Sequence, residues 1–60
     1  MNQQIPNDPV ILLSYINTQL RDFYPSLDEL CLALDLSKDS ITKKLASIDY
    51  EYDEASNRFC

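Results

Sequence analysis

The C-terminal part of the chain carries carboxylates at alternate positions, a residue type and a spacing that could bind a calcium ion. Counted from Asp49, acidic side chains occupy the first, third and fifth places, as they do in the loop of an EF-hand. The sixth place, where that loop needs glycine, holds Glu54, and the twelfth, where it needs a bidentate glutamate, holds Cys60. Because the match fails at both places, we predict a solvated strand face and no bound metal.

Nucleophilic and acid–base catalysis have little support in the sequence. Cys31 falls on the apolar side of a predicted helix, where a thiol is an inert core residue. The chain contains no histidine to activate a thiol or a hydroxyl, and no glycine for a loop that cradles phosphate. Sixty residues leave little room for the desolvated cleft that a pair of acids would need. We expect a protein that is not an enzyme, with no cofactor and no small-molecule substrate.

The cysteines and the apolar runs favour a cytoplasmic protein. Cys31 lies within a helical pattern and Cys60 is the last residue, so the two do not form a disulfide framework, and we expect Cys60 to be exposed and free. The first residues lack the basic and apolar regions of a signal peptide. The longest apolar run, Val10 to Leu13, is far shorter than the roughly 20 residues of a membrane helix. We therefore expect no membrane contact.

Residues 1–7 are polar and predict a flexible N-terminal arm, followed by a single domain over residues 8–60. Asp8-Pro9 is a helix start, with aspartate as N-cap and proline at the first helical position. We expect this first helix to run to about Tyr24, because the following Pro25 disfavours helical geometry in the residue before it.

The stretch from Ser26 to Ile48 predicts two short helices joined by a tight turn, a helix-turn-helix. Ser26 and Glu29 are spaced as a capping box that starts the second helix, which runs to about Leu34. The turn carries Asp35, a residue that tolerates the left-handed conformation. Ser37 is placed to cap the third helix.

After Ile48 the apolar residues recur every second position, which indicates a strand, and Arg58 to Cys60 can return as a second one. The sequence therefore predicts a mainly α-helical fold: a three-helix helix-turn-helix bundle with a small C-terminal β-hairpin, similar in layout to a winged helix. The predicted core consists of Leu12, Leu13, Ile16, Leu20, Phe23, Leu27, Leu30, Cys31, Leu34, Leu36, Ile41, Leu45 and Ile48.

The charge balance argues against the usual ligand of a helix-turn-helix. A DNA-binding domain of this kind places its second motif helix in the major groove, and here the candidate DNA contacts would be Lys38, Thr42, Lys43 and Lys44. Ten acidic residues against five basic ones give a net charge of −5, and phosphate binding depends on cations. We expect these lysines to be solvated surface, and keep weak DNA binding as the alternative function.

Aromatic residues are numerous for so short a chain. Two interpretations of them remain open: Tyr50 and Tyr52 fold back on the first helix against Ile11 and Tyr15, or these four residues form an interface. The second interpretation predicts a protein-interaction module that binds a protein partner or forms a homodimer. The candidate interface is thus Ile11, Tyr15, Tyr50 and Tyr52.

Three segments of the chain carry a family resemblance: NDPVILLSYIN at the start, LRDFY with SLDELC at the first helix junction, and YEYD with NRF at the end. With these segments the chain resembles, from about Ile5 to Phe59, the short bacterial proteins of domain of unknown function 4250. The resemblance implies a bacterial, stand-alone, cytoplasmic protein. It supplies no activity, cofactor or catalytic residue.

Overall fold

The computed structural model describes residues 6–60, and over these residues it contains three helices followed by an antiparallel hairpin. The elements are α1 (Pro9–Asp22), α2 (Leu27–Leu34), α3 (Lys38–Ala46), β1 (Tyr52–Asp53) and β2 (Arg58–Phe59). The predicted mainly α-helical fold with a C-terminal hairpin is confirmed. Most of the N-terminal arm predicted at residues 1–7 lies outside the described residues.

Helix α1 begins as its capping residues predict and ends slightly earlier. The Asp8 carboxylate accepts a hydrogen bond from the Ile11 amide at 3.1 Å, and Pro9 occupies the first turn. The helix ends at Asp22 rather than near Tyr24, because Phe23 leaves helical geometry with a φ of −128°. The amides of Phe23 and Tyr24 both donate to the Gln19 carbonyl, which closes the helix.

The helix-turn-helix has the capping that the sequence predicts. The Ser26 hydroxyl accepts from the Glu29 amide at 3.2 Å and starts α2, and the Ser37 hydroxyl accepts from the Ser40 amide at 3.3 Å and starts α3. Between the helices, Asp35 takes the left-handed conformation with a φ of 56°. The Leu36 amide then donates to the Cys31 carbonyl, so that a short turn reverses the chain.

The hairpin starts later than the alternating pattern predicts. Ile48 to Tyr50 belong to the turn that ends α3, in which Asp49 has a positive φ of 66° and the Tyr50 amide donates to the Leu45 carbonyl. Carbonyl groups at the end of a helix need donors, and this turn supplies them where a strand would not. The ladder beyond it pairs Tyr52 with Phe59 and is extended by two backbone hydrogen bonds between Glu51 and Cys60.

The core differs from the predicted one in its aromatic residue. Four of the predicted core residues, Leu13, Leu34, Leu36 and Ile48, are only partly buried. Phe23 was predicted to be buried but is 68% exposed, because its position at the end of α1 takes it off the helical stripe. Phe59, from β2, is 2% exposed and supplies the buried ring instead. The buried residues are Leu12, Ile16, Leu20, Leu27, Leu30, Cys31, Ile41, Leu45 and Phe59.

Candidate interaction surfaces

A groove of about 430 Å³ lies between α3 and the hairpin. We call it the α3–hairpin groove, and it is lined by Thr42, Lys43, Ala46, Tyr50, Glu51, Tyr52 and Phe59. The groove brings together two of the predicted interface residues, Tyr50 and Tyr52, with two of the predicted DNA contacts, Thr42 and Lys43. The two candidate sites of the sequence therefore overlap at this place in the fold.

Tyr52 contributes to this groove chiefly as a structural residue. Its ring packs against that of Phe59 with the ring centroids 5.5 Å apart. Its hydroxyl accepts a hydrogen bond from the Leu27 amide at 3.2 Å and donates one to the Asn57 side chain at 2.6 Å. Tyr50, in contrast, is among the exposed large apolar residues of the described chain. Of the two tyrosines, Tyr50 is the one available to a partner.

The other two predicted interface residues lie elsewhere. Ile11 is 58% exposed on α1, and Tyr15, one turn later, is partly buried against the core. Asn17 is hydrogen-bonded to Phe59 of the hairpin, and Tyr15 lies two residues, or roughly 200° of helix rotation, away from it. Ile11 and Tyr15 lie on α1 and are not among the residues that line the α3–hairpin groove, so the grouping of all four residues in one interface stays a prediction.

The predicted DNA contacts are mostly occupied by contacts within the protein. Lys38 forms an ion pair with Asp28 at 2.9 Å, and the hydrogen bond in that pair raises the pKa of the Lys38 ammonium. Lys44 donates to the Asn7 side chain at 2.6 Å. The Thr42 hydroxyl donates to backbone carbonyls one turn earlier in α3. Within residues 6–60, Lys43 is the one of these four side chains without a hydrogen bond or an ion pair.

Asn17 holds the hairpin to α1 as a third strand would. Its side-chain oxygen accepts from the Phe59 amide at 2.8 Å, and its side-chain nitrogen donates to the Phe59 carbonyl at 3.1 Å. Glu51 and Cys60 exchange both of their ladder hydrogen bonds. The amide and carbonyl of the residue before Cys60, Phe59, therefore point outward from the ladder. Asn17 thus satisfies the outer edge of β2, a role that its position on the polar side of α1 does not reveal.

Asn57 joins the hairpin to the last turn of α1 and to the connection that follows this helix. It has a positive φ of 54° and its side-chain oxygen accepts from the Tyr52 hydroxyl. Its side-chain nitrogen donates to the carbonyls of Leu20 at 3.2 Å and Tyr24 at 3.0 Å. Sequence reasoning missed this residue. The available signal was an asparagine in a turn of a glycine-free chain, because asparagine tolerates positive φ best among the other residues.

A second and wider groove, of about 850 Å³, lies between α1 and the hairpin. We call it the α1–hairpin groove. Both arginines of the chain, Arg21 and Arg58, line it, together with Val10, Leu13, Ser14, Asn17, Thr18, Leu20, Ser56 and Asn57. None of these lining residues is acidic, although the whole chain has twice as many acids as bases. The groove is therefore a locally positive surface on an acidic protein.

The two arginines of this groove differ in their contacts. Arg21 pairs with the neighbouring Asp22, with Nε to Oδ1 at 2.9 Å and Nη2 to Oδ2 at 3.1 Å. The hydrogen bond from Arg21 lowers the pKa of the Asp22 carboxyl. Arg58 makes no ion pair or side-chain hydrogen bond with any residue in 6–60, and its guanidinium remains available to another anion.

Leu32 is the most exposed large apolar residue of the described chain, with 81% of its surface accessible. It lies on the side of α2 opposite the buried Leu27, Leu30 and Cys31. Val10 and Ile11 near the start of α1 are also well exposed, at 62% and 58%. The core is formed by other residues, so these side chains are free to contact a partner.

The two cysteines, which are the reactive thiols of the chain, lie in different environments. Cys31 is buried and its burial raises the pKa of the thiol, which disfavours the nucleophilic thiolate. Cys60 is free and exposed. Within residues 6–60 no three or more cysteine or acidic side chains are grouped so that they could hold a metal ion. None of the helices described is long and apolar enough to cross a membrane.

The fold defines a class: a small, mainly α-helical domain in which a helix-turn-helix precedes a two-stranded hairpin. The family follows from comparison with known proteins, since the model of the family DUF4250, a domain of unknown function, matches residues 6–59. The chain belongs to this family, as the resemblance of its segments predicted. Comparison with curated proteins and with solved structures gives no match.

Proposed function

We propose that this protein is a non-enzymatic protein-interaction module that acts in the cytoplasm and binds a protein partner or a second copy of itself. The observation that carries the proposal is the exposure of Leu32 and, on α1, of Val10 and Ile11. Burying a leucine or isoleucine side chain is worth about 1.5–3 kcal/mol, and this free energy is not used in folding the single chain. Aromatic and aliphatic anchors of this kind supply much of the affinity of protein interfaces.

The alternative, a weak DNA-binding regulator that uses α3, has less support. Lys38 is paired with Asp28, whereas Lys44 donates to the neutral Asn7 side chain, so within residues 6–60 only Lys43 and Lys44 of this helix carry a charge that no ion pair neutralises. Glu51 lines the same groove as Lys43 and would face a phosphate backbone with the wrong charge. Few available cations leave little counterion release to drive binding.

Site-specific photo-crosslinking in the cells that produce the protein tests the proposal. A photoreactive phenylalanine analogue placed at Leu32 or Ile11 is expected to yield discrete crosslinked protein species, because both side chains are exposed. The same analogue at Ala55, an exposed position in the turn of the hairpin, is the control and is expected to yield none. Equal labelling at all three positions, or no crosslinked protein at any, contradicts the proposal.

A further inference from the structure

Two surfaces of this chain carry complementary chemical groups. The first is the α1–hairpin groove, an open concave surface that carries both arginines and no acid. The second, which we call the α2 outer face, consists of Leu32 with Glu29 and Asp35. We infer that the α1–hairpin groove of one copy accepts the α2 outer face of a second copy, with Leu32 as the apolar anchor. This inference rests on the proposed function and names its partner.

The receiving groove offers both an apolar and a cationic component. Val10 and Leu13 lie one turn apart on α1 and give the groove its apolar side. Arg58 extends from β2 and supplies an unpaired cation, while Arg21 extends from α1 and is already paired with Asp22. Because Arg58 has no anion within residues 6–60, it can pair with a carboxylate from outside without breaking an existing contact.

The α2 outer face carries the groups that this groove could bind, an apolar side chain and carboxylates. Glu29 precedes Leu32 by three residues within α2, which places its carboxylate next to the leucine on the helix surface, and Asp35 follows directly after the end of the helix. Neither carboxylate forms an ion pair within residues 6–60. Asp28, also nearby, is already paired with Lys38. An exposed leucine next to the free carboxylate of Glu29 fits a groove that has an apolar side and the unpaired Arg58.

A second copy is the occupant that the charges favour. At a net charge of −5 two copies repel one another, and a contact that places the arginines of the groove against acids of the second copy offsets part of this repulsion. A standard interface buries about 800 Å² per partner, roughly a fifth of the 4266 Å² exposed by this chain. A single leucine anchor covers less than that, so we expect weak association that depends on concentration.

Analytical ultracentrifugation of the full chain over a concentration series tests the inference. The series is repeated with a charge exchange, in which one charge is reversed on each surface and the two variants are measured alone and mixed. We expect the unmodified protein to associate, and Arg58→Glu or Glu29→Arg alone to weaken association at least about tenfold, since like charges would then face each other. An equimolar mixture of the two variants is expected to recover association, because the reversed groove of the Arg58→Glu variant then meets the reversed face of the Glu29→Arg variant, and opposite charges face each other again.

Matched variants control for net charge and for apolar content. Lys43→Glu changes the net charge as Arg58→Glu does, Glu54→Arg changes it as Glu29→Arg does, and all four positions are exposed. The two controls are expected to leave association within about twofold of the unmodified protein, because both lie outside the two surfaces. Leu32→Ser is expected to weaken it at least as much as the charge reversals. Circular dichroism verifies that each variant is folded.

Two results would overturn the inference. The first is that the unmodified protein sediments as a monomer at every concentration. The second is that the protein associates, but neither the charge reversals nor Leu32→Ser changes the strength of association. Failure of the proposed function is a separate result: if the protein is monomeric but Leu32 or Ile11 still crosslinks to another protein, the module survives and only its partner differs from the one inferred.

Discussion

Replacing Phe59 with alanine is expected to unfold a large fraction of the protein at room temperature. Phe59 supplies the one buried aromatic ring of the described core, packs against Tyr52 and has its backbone held by Asn17. Removing a buried phenylalanine ring costs about 3–5 kcal/mol. A chain of this length has a total free energy of unfolding of roughly 3–9 kcal/mol, so the loss is a large share of it.

Urea unfolding followed by far-ultraviolet circular dichroism measures this loss. Phe59→Leu is the matched control, since it keeps an apolar side chain at the site and is expected to cost about 1 kcal/mol. If Phe59→Ala unfolds at the same urea concentration as the unmodified protein, the hairpin does not contribute to the core as described. A loss in both variants of equal size would also contradict the account.

Asn57→Ala is expected to be the second most damaging change. The alanine removes the hydrogen bond with Tyr52 and the two bonds to the carbonyls of Leu20 and Tyr24. Each buried polar group left without a partner costs about 1–3 kcal/mol, and alanine adds a backbone cost at the positive φ of this position. We expect a total destabilisation of about 2–4 kcal/mol, since water can reach part of this network.

Comparison with Asn57→Gly separates the contribution of the side-chain hydrogen bonds from the backbone cost at positive φ. Glycine adopts positive φ without strain but cannot make the hydrogen bonds, so this variant is expected to be about 1 kcal/mol more stable than Asn57→Ala and still well below the unmodified protein. The midpoints of urea unfolding give both differences. Equal midpoints for Asn57→Gly and the unmodified protein would show that the side-chain bonds contribute nothing to stability.

The helices could be predicted because their ends depend on neighbouring residues. Asp8, Ser26 and Ser37 cap helices through hydrogen bonds to amides three residues later, and such contacts are visible in the sequence. Asp35 was expected to tolerate the left-handed turn, and it does. The spacing of leucine and isoleucine likewise identified most of the buried residues. Local chemistry therefore accounts for the three helices and for the turn between the second and the third.

The hairpin and the grooves could not be predicted in the same way. Phe23 and Phe59 are both apolar and both near predicted boundaries, and only the packing of β2 against α1 decides that Phe59 is buried. The hydrogen bonds that join Asn17 to Phe59, and Asn57 to Leu20 and Tyr24, span 33 to 42 positions, a distance over which local patterns carry no information. The α1–hairpin groove depends on the same long-range packing, which is why the sequence indicated aromatic anchors and not this cationic surface.

The helix-turn-helix layout does not by itself imply DNA binding. In α3, the buried Ile41 and Leu45 attach the helix to the core, while the outer face carries Asp39 beside the lysines. The layout is a solution to packing short helices, and what it binds depends on the side chains it exposes. Asp39 and Glu51 place acids near the lysines of α3, which is why we propose a protein partner rather than DNA.

The most direct test of the central claim, a protein-binding module rather than a DNA-binding one, is a titration of fluorescent random-sequence duplex DNA at low salt and at physiological salt. We expect no saturable binding at either salt concentration, because within residues 6–60 only Lys43 and Lys44 of α3 carry a charge that no ion pair neutralises, and two cations release few counterions. Saturable binding at low salt that weakens as salt rises and is lost in Lys43→Glu would contradict it, and would make α3 a DNA-reading helix.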